Sequence, residues 1–277
     1  MLTLLHNFHP QAIFISFGFF HIYWYGIFVV LGILAALGVS FFFAKYYLVK
    51  KDSLFDLSFW LIINGLIGAR VYDIFLQLPY YTQNPLAIFK VWQGGLAIHG
   101  GIIAGIITIY IFSRQQRISS WKLAALIVPG VALGQAIGRW GNYFNQELFG
   151  LPTNSPWGIP IDLLNRPFNY LTVNYFHPTF LYESIGCFLI FIFLCLFNLF
   201  LIKKQKLTNY YFVWMVSFYV VLYSILRFSL EFIRIDETPT FLSLRWPQFI
   251  SLILIFLSSI LLTFNPHAKT KNNQAQK

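Results

Sequence analysis

Apolar runs close to the roughly 20 residues needed to cross a hydrocarbon core recur along the chain, at about 18–43, 57–76, 96–113, 123–141, 180–202, 210–230 and 248–264. Short polar connections separate them. The pattern predicts an all-α polytopic membrane protein of about seven transmembrane helices. Ahead of the first run, Leu2 to Phe17 is amphipathic, with His6, His9, Pro10 and Gln11 among apolar neighbours, and reads as a segment lying along the interface. One connection is long. Residues 143–178 carry prolines at 152, 156, 160, 167 and 178, the turn formers Asn154, Ser155 and Gly158, and Trp157, Phe168, Tyr170 and Tyr175 to seat the segment at an interface. They predict a small external subdomain between the fourth and fifth helices of a single integral membrane domain, 1–277. From Pro266 the sequence turns polar, and 266–277 reads as a tail.

Composition strengthens this reading. With 58% hydrophobic and only 10% charged residues, the chain has too little polar surface to cover itself in water. A net charge of +10 suggests nucleic acid, but the basic residues form no single patch. Lys45, Lys50 and Lys51, then Arg114, Arg117 and Lys122, then Lys203, Lys204 and Lys206, and finally Lys269, Lys271 and Lys277 follow every second apolar run. The intervening connections hold Lys90 alone, or mix Arg166 with Glu147 and Asp162, or Arg234 and Arg245 with Asp236 and Glu237. That alternation puts the N-terminus outside and the C-terminus in the cytoplasm, and no nucleic-acid partner is expected. No lysine or arginine precedes Lys45, so the first apolar run lacks the basic start of a cleaved signal and is expected to remain as a helix. Cys187 and Cys195 both sit inside an apolar run and suggest neither a disulfide nor a metal pair; no metal and no cofactor are expected. The two halves show no convincing internal repeat, so a transporter built from inverted repeats gains no support.

Candidate chemistry clusters in a few places. Gly130, Gly134 and Gly138 share one helical face, where another helix can approach closely, and lead into Gly138-Arg139-Trp140-Gly141-Asn142-Tyr143-Phe144-Asn145-Gln146-Glu147. Arg139, Asn142 and Gln146, at i, i+3 and i+7, share a face if the helix continues, making a polar pocket suited to an anion. An arginine at membrane depth costs about 2.5–3.5 kcal/mol on insertion scales and turns to a partner or a wet cavity; the plainer reading is a snorkelling helix-end residue. His99 lies between glycine pairs in Gln93-Gly94-Gly95-Leu96-Ala97-Ile98-His99-Gly100-Gly101, accessible and suited to proton transfer, or else bonded in a helix interface. Tyr223, Arg227 and Glu231 recur at i, i+4 and i+8 with Arg234 beyond them, a stripe that does not face lipid. Glu183 follows His177-Pro178 by about a helical turn and is expected to pair with an arginine of another helix. Tyr25 and Arg70 read as interface residues unless they join the same pocket.

Taken together, Trp24-Tyr25-Gly26, Gly68-Ala69-Arg70, His99-Gly100-Gly101, Gly138-Arg139 through Gly150, His177-Pro178-x-x-Leu181-Tyr182-Glu183 and Arg227-Phe228-x-x-Glu231-x-x-Arg234 resemble the bacterial prolipoprotein diacylglyceryl transferases. The 138–150 stretch is the most specific, matching the family signature Gly-Arg-x-Gly-Asn-(Phe/Tyr)-x-Asn-x-Glu-x-x-Gly at every fixed position. The resemblance implies a bacterial inner-membrane enzyme of lipoprotein maturation, its external side periplasmic, acting on phosphatidylglycerol and on the lipobox cysteine of prolipoprotein signal peptides among membrane lipids. On that basis Arg139 and Arg227 are assigned to the phosphate and His99 to the thiol proton. Asn142, Tyr25, Arg70, Glu147, Tyr223, Glu231 and Arg234 are expected to complete the lipid site, the carboxylates by orienting arginines. The chain departs from the family at Phe180, where glutamine is usual, at Ala124-Ala125, where an acidic residue is usual, and at Pro247, where glycine precedes the glutamine. Two other readings compete: a catalytically altered paralogue that binds lipid or lipoprotein, and a small-molecule membrane transporter.

Overall fold

The structure, a computed structural model, describes residues 2–18 and 20–263; the polar tail expected from 266 lies outside them. Among the described residues six helices are long and apolar enough to cross a membrane: α2 (Trp24–Ala44), α3 (Lys51–Leu76), α6 (Ser120–Phe144), α7 (Thr179–Lys203), α8 (Asn209–Leu230) and α9 (Trp246–Thr263). The remaining expected span forms α5 (Ile98–Gln116), a 19-residue helix about 28 Å long at 1.5 Å per residue. His99, the three glycines 100, 101 and 105 and the terminal Arg114-Gln115-Gln116 dilute its hydropathy, and it is not one of the six. Short elements complete the order: α1 (Leu2–Asn7), α4 (Leu78–Gln83), and the two-stranded pairs β1 (Ile13–Phe17) with β2 (Phe20–Tyr23), β3 (Ile159–Pro160) with β4 (Tyr175–Phe176), and β5 (Thr240–Phe241) with β6 (Leu244–Arg245).

The first span begins later than its apolar run suggests. Gly18 takes a left-handed φ of 61°, and the residues on either side pair as an antiparallel hairpin with Phe17 opposite Phe20, so the helix starts only at Trp24. Hydropathy alone does not separate an apolar hairpin from an apolar helix; the glycine does.

The chain divides into two compact units, Met1–Ser40 with Ile127–Lys277, and Phe41–Leu126. In the first unit, α7 packs on α8 and α8 on α9. There α2 meets α6 through small residues, Gly32 and Ala36 against Gly130 and Gly134: a Cβ at Gly130 would stand 2.5 Å from the Ala36 carbonyl oxygen, closer than a side chain can approach. The 143–178 stretch folds over a core of Leu5, Tyr143, Phe149, Ile159, Ile161 and Phe176, joined by Phe180 and Leu181 from the start of α7. Where water is the alternative, each such side chain contributes about 1.5–3 kcal/mol on burial. The N-terminal segment belongs to this assembly. His6 stacks on Tyr175 at 4.1 Å and its Nδ1–H donates to the Gly158 carbonyl at 2.8 Å. In the second unit α3 packs along α5, with Gly68 against Gly100 and Asn64 Nδ2 donating to Thr108 Oγ1 at 3.0 Å.

Candidate active site

The end of α6 delivers the first half of the site. Gly141 lies against Tyr25, where a Cβ would be 2.7 Å from the tyrosine ring, so this bare position seats the phenol beside the α6 terminus. Arg139 donates from Nη2 to Glu183 Oε1 on α7 at 2.6 Å and from Nη1 to Asn142 Oδ1 at 3.1 Å. Asn142 passes the connection on, its Nδ2 donating to Glu147 Oε1 at 2.7 Å. Such charge-assisted bonds are short and directional, and they hold the guanidinium in one orientation.

From Glu183 a line of alternating charge continues. Its side chain is 2% exposed, accepts the Tyr223 hydroxyl at 3.1 Å and lies 3.9 Å from Arg234 Nη1. Arg234 Nε donates to Asp236 Oδ1 at 2.8 Å, and Asp236 Oδ2 stands 3.7 Å from Arg245 Nη2. Arg245 Nε is 3.2 Å from Glu231 Oε1, and Arg227 Nη2 is 3.0 Å from Glu231 Oε2. The order is Arg139, Glu183, Arg234, Asp236, Arg245, Glu231, Arg227. A buried carboxylate left unpaired would cost several kcal/mol; each carboxylate of this line instead stands between two guanidinium groups.

The Glu231 contacts are close, yet among the described residues neither of its oxygens makes an aligned hydrogen bond, and Arg227 Nη1 is a buried donor with no acceptor. We read Glu231 as held by charge. A buried donor left unmade costs about 1–3 kcal/mol. Arg245 has a different role: it also donates to the Glu231 carbonyl at 3.1 Å, to the Arg234 and Asp236 carbonyls and to Thr238 Oγ1 at 2.9 Å, stapling the turn that follows α8.

Among the expected site residues, Tyr25, Arg139, Asn142, Glu147, Tyr223, Arg227, Glu231 and Arg234 all belong to this first unit, and all but Tyr25 join the bonded line or its Asn142–Glu147 branch. Arg70 and His99 belong to the second unit. There Arg70 is buried among backbone carbonyls, while His99, in the first turn of α5, is exposed with its ring centroid 6.0 Å from that of Tyr72. Gln146 does not share the Arg139 face. The helix stops at Phe144, Gln146 takes a φ of 52°, and its amide turns away to the Pro10 carbonyl at 2.8 Å and Asp162 Oδ2 at 2.7 Å.

Arg245 and Asp236 escaped sequence reasoning as members of the line, because they sit in a connection that reads as mixed charge; an odd run of both signs beside an apolar helix was the available signal. Phe180 stacks on Tyr143 with ring centroids 4.7 Å apart and meets Trp140 edge-on at 5.4 Å. An amide here would need a partner within an apolar cluster; phenylalanine does not.

Fold and site together define an integral membrane protein of long apolar helices that carries a line of arginines and carboxylates. Residues 12–264 match the family profile described as prolipoprotein diacylglyceryl transferase, and the chain belongs to that family. Among its relatives, a protein of Nostoc sp. is 42% identical over 229 residues, covering 82% of this chain and 80% of its own length. One from Synechocystis sp. is 38% identical over 253 residues, covering 90% and 87%, and one from Finegoldia magna 38% over 240 residues, covering 87% and 90%. Each is named phosphatidylglycerol--prolipoprotein diacylglyceryl transferase.

Proposed function

We propose that the protein transfers the diacylglyceryl group of phosphatidylglycerol to the thiol of a prolipoprotein lipobox cysteine. The relatives' names give phosphatidylglycerol, prolipoprotein and diacylglyceryl transfer. The observation that carries the reading is the line from Arg139 to Arg227 with a buried, unspent N–H at Arg227. A carbon–sulfur bond forms, the carbon–oxygen bond to the phosphate breaks, and the electron pair leaves on a phosphate oxygen as glycerol phosphate. The thiol proton must go to a base. Arg139 and Arg227 neutralise the leaving phosphate, with Asn142 and Tyr25 as neutral donors beside it, and preorganised cations of this kind supply most of the stabilisation such a displacement needs. Glu183, Glu231 and Glu147 orient donors. His99 takes the thiol proton.

The alternation of basic clusters supports an outer-face site in the inner membrane, with 143–178 external and the N-terminus on the same side. A cysteine placed near Asn154 should react with an impermeant reagent in intact cells while one at 203–206 does not; the opposite pattern reverses the orientation.

The activity is tested with the purified protein in phosphatidylglycerol vesicles and a synthetic lipobox peptide. The expected result is a diacylglyceryl mass gain on the peptide cysteine with stoichiometric glycerol phosphate, and none when phosphatidylcholine replaces the lipid. A folded protein with no transfer would favour the altered paralogue.

A further inference from the structure

Arg70 stands six residues before the end of α3, and the chain then makes an excursion through α4 and two tight turns, Pro85–Phe89 and Val91–Gln93, before α5 begins. The guanidinium gathers that excursion. Nε donates to the Ile88 carbonyl at 3.0 Å, Nη2 to the Ala87 carbonyl, and Nη1 to the carbonyls of Gly94 at 2.7 Å and Gly95 at 2.8 Å. A guanidinium has five N–H donors, so at most one is left, too few for a two-pronged grip on a phosphate.

The surroundings are built for this crown. Gly94 and Gly95 have φ of 92° and 72°, left-handed values that turn both carbonyls toward the cation, and a Cβ at Gly95 would overlap Arg70 Nη1. Asp73 lies 4.0 Å from Nη1 and offsets the charge, but its oxygens are taken by the Tyr81 hydroxyl at 2.7 Å and Gln77 Nε2 at 3.1 Å. The Tyr81 hydroxyl is held protonated above its usual range because it donates to that carboxylate. Its ring lies beneath the guanidinium, 5.1 Å from ring centroid to Cζ. Two residues past the glycines, the Ala97 N–H donates to the Ala69 carbonyl at 3.1 Å, tying the residue before α5 to the residue before Arg70. His99 follows in the first turn.

We infer that Arg70 is a positioning residue: through the Gly94–Ala97 backbone it sets where α5 starts and so where the His99 imidazole stands, and it does not bind the lipid phosphate. The inference rests on the proton-acceptor role proposed for His99. Lysine carries the same charge but cannot fork to four carbonyls, which makes Arg70→Lys the discriminating variant.

The test pairs hydrogen exchange with steady-state kinetics in phosphatidylglycerol vesicles. Arg70→Lys and Arg70→Ala should both speed amide exchange at 94–97 by about tenfold or more. They should lower kcat by about 10²-fold, the cost of a misplaced catalytic group, with KM for phosphatidylglycerol nearly unchanged. Tyr81→Phe, a milder change that leaves the chain's fold to the crown itself, should move both readouts in the same direction by less. Unchanged exchange at 94–97 in Arg70→Ala overturns the inference, as does a Lys variant with normal kcat or one whose loss lies in KM, the mark of a direct phosphate ligand. Full turnover in His99→Gln sinks the proton-acceptor assignment instead, and exchange at 94–97 then still decides whether Arg70 anchors the loop.

Discussion

The Arg139 guanidinium on α6 meets the Glu183 carboxylate on α7 at 2.6 Å, although 44 positions separate them in the chain. The pair does two jobs. It fastens two apolar helices where dispersion alone would leave their rotation loosely set, and it orients a cation beside Asn142 and Tyr223.

Replacing Glu183 with glutamine should therefore affect both stability and turnover. Removing one partner of a buried pair costs about 3–5 kcal/mol. We expect a lowered thermal transition in detergent together with loss of transfer. A Glu183→Gln variant as stable and active as the parent would show that the contact is incidental.

At the two ends of the charged line, Arg139→Gln and Arg227→Gln should each lower kcat by about 10²–10³-fold, the usual consequence of losing a donor aimed at developing charge. Insertion and protein level should persist. Near-normal turnover in either would remove that arginine from the phosphate site.

His99→Gln should be rescued by alkali. Without a base the reaction depends on thiol that has ionised by itself, and the thiolate fraction rises about tenfold per pH unit until the cysteine pKa near 8.5. The rate ratio of parent to variant is thus expected to shrink from pH 6.5 to pH 8.5. A ratio that stays constant would assign His99 to positioning.

The close crossing of α2 and α6 is sensitive to bulk. A Cβ at Gly130 would stand 2.5 Å from the Ala36 carbonyl oxygen, and one at Gly134 would stand 3.1 Å from that of Gly32. Leucine at either position forces the helices apart, at a cost of about 1–3 kcal/mol for overpacking. Reduced folded yield by size-exclusion chromatography is expected. Gly138, with open space where its Cβ would be, should accept alanine.

Cys187 and Cys195 are free thiols on α7, the first buried and the second partly so. In the direct displacement proposed above neither carries the lipid. The Cys187→Ala, Cys195→Ala double variant should keep most of its activity, any loss following protein level. A diacylglyceryl adduct trapped on either thiol would replace single displacement with a covalent relay.

Much of this protein was legible from the order of its residues. Apolar runs of bilayer length name their helices because a backbone in lipid has few other ways to satisfy its hydrogen bonds. Arginines and glutamates within those runs announce a site because no such residue faces lipid without cost. Partner choice was not legible. That Glu183 takes Arg139 and Tyr223, that Asp236 and Arg245 complete the line, and that Gln146 leaves it for Asp162, are outcomes of how separate helices and turns meet. The Arg70 crown is the clearest case. Four backbone carbonyls carry no side-chain signature, so only the folded path of residues 77–97 decides that this arginine is occupied by its own chain.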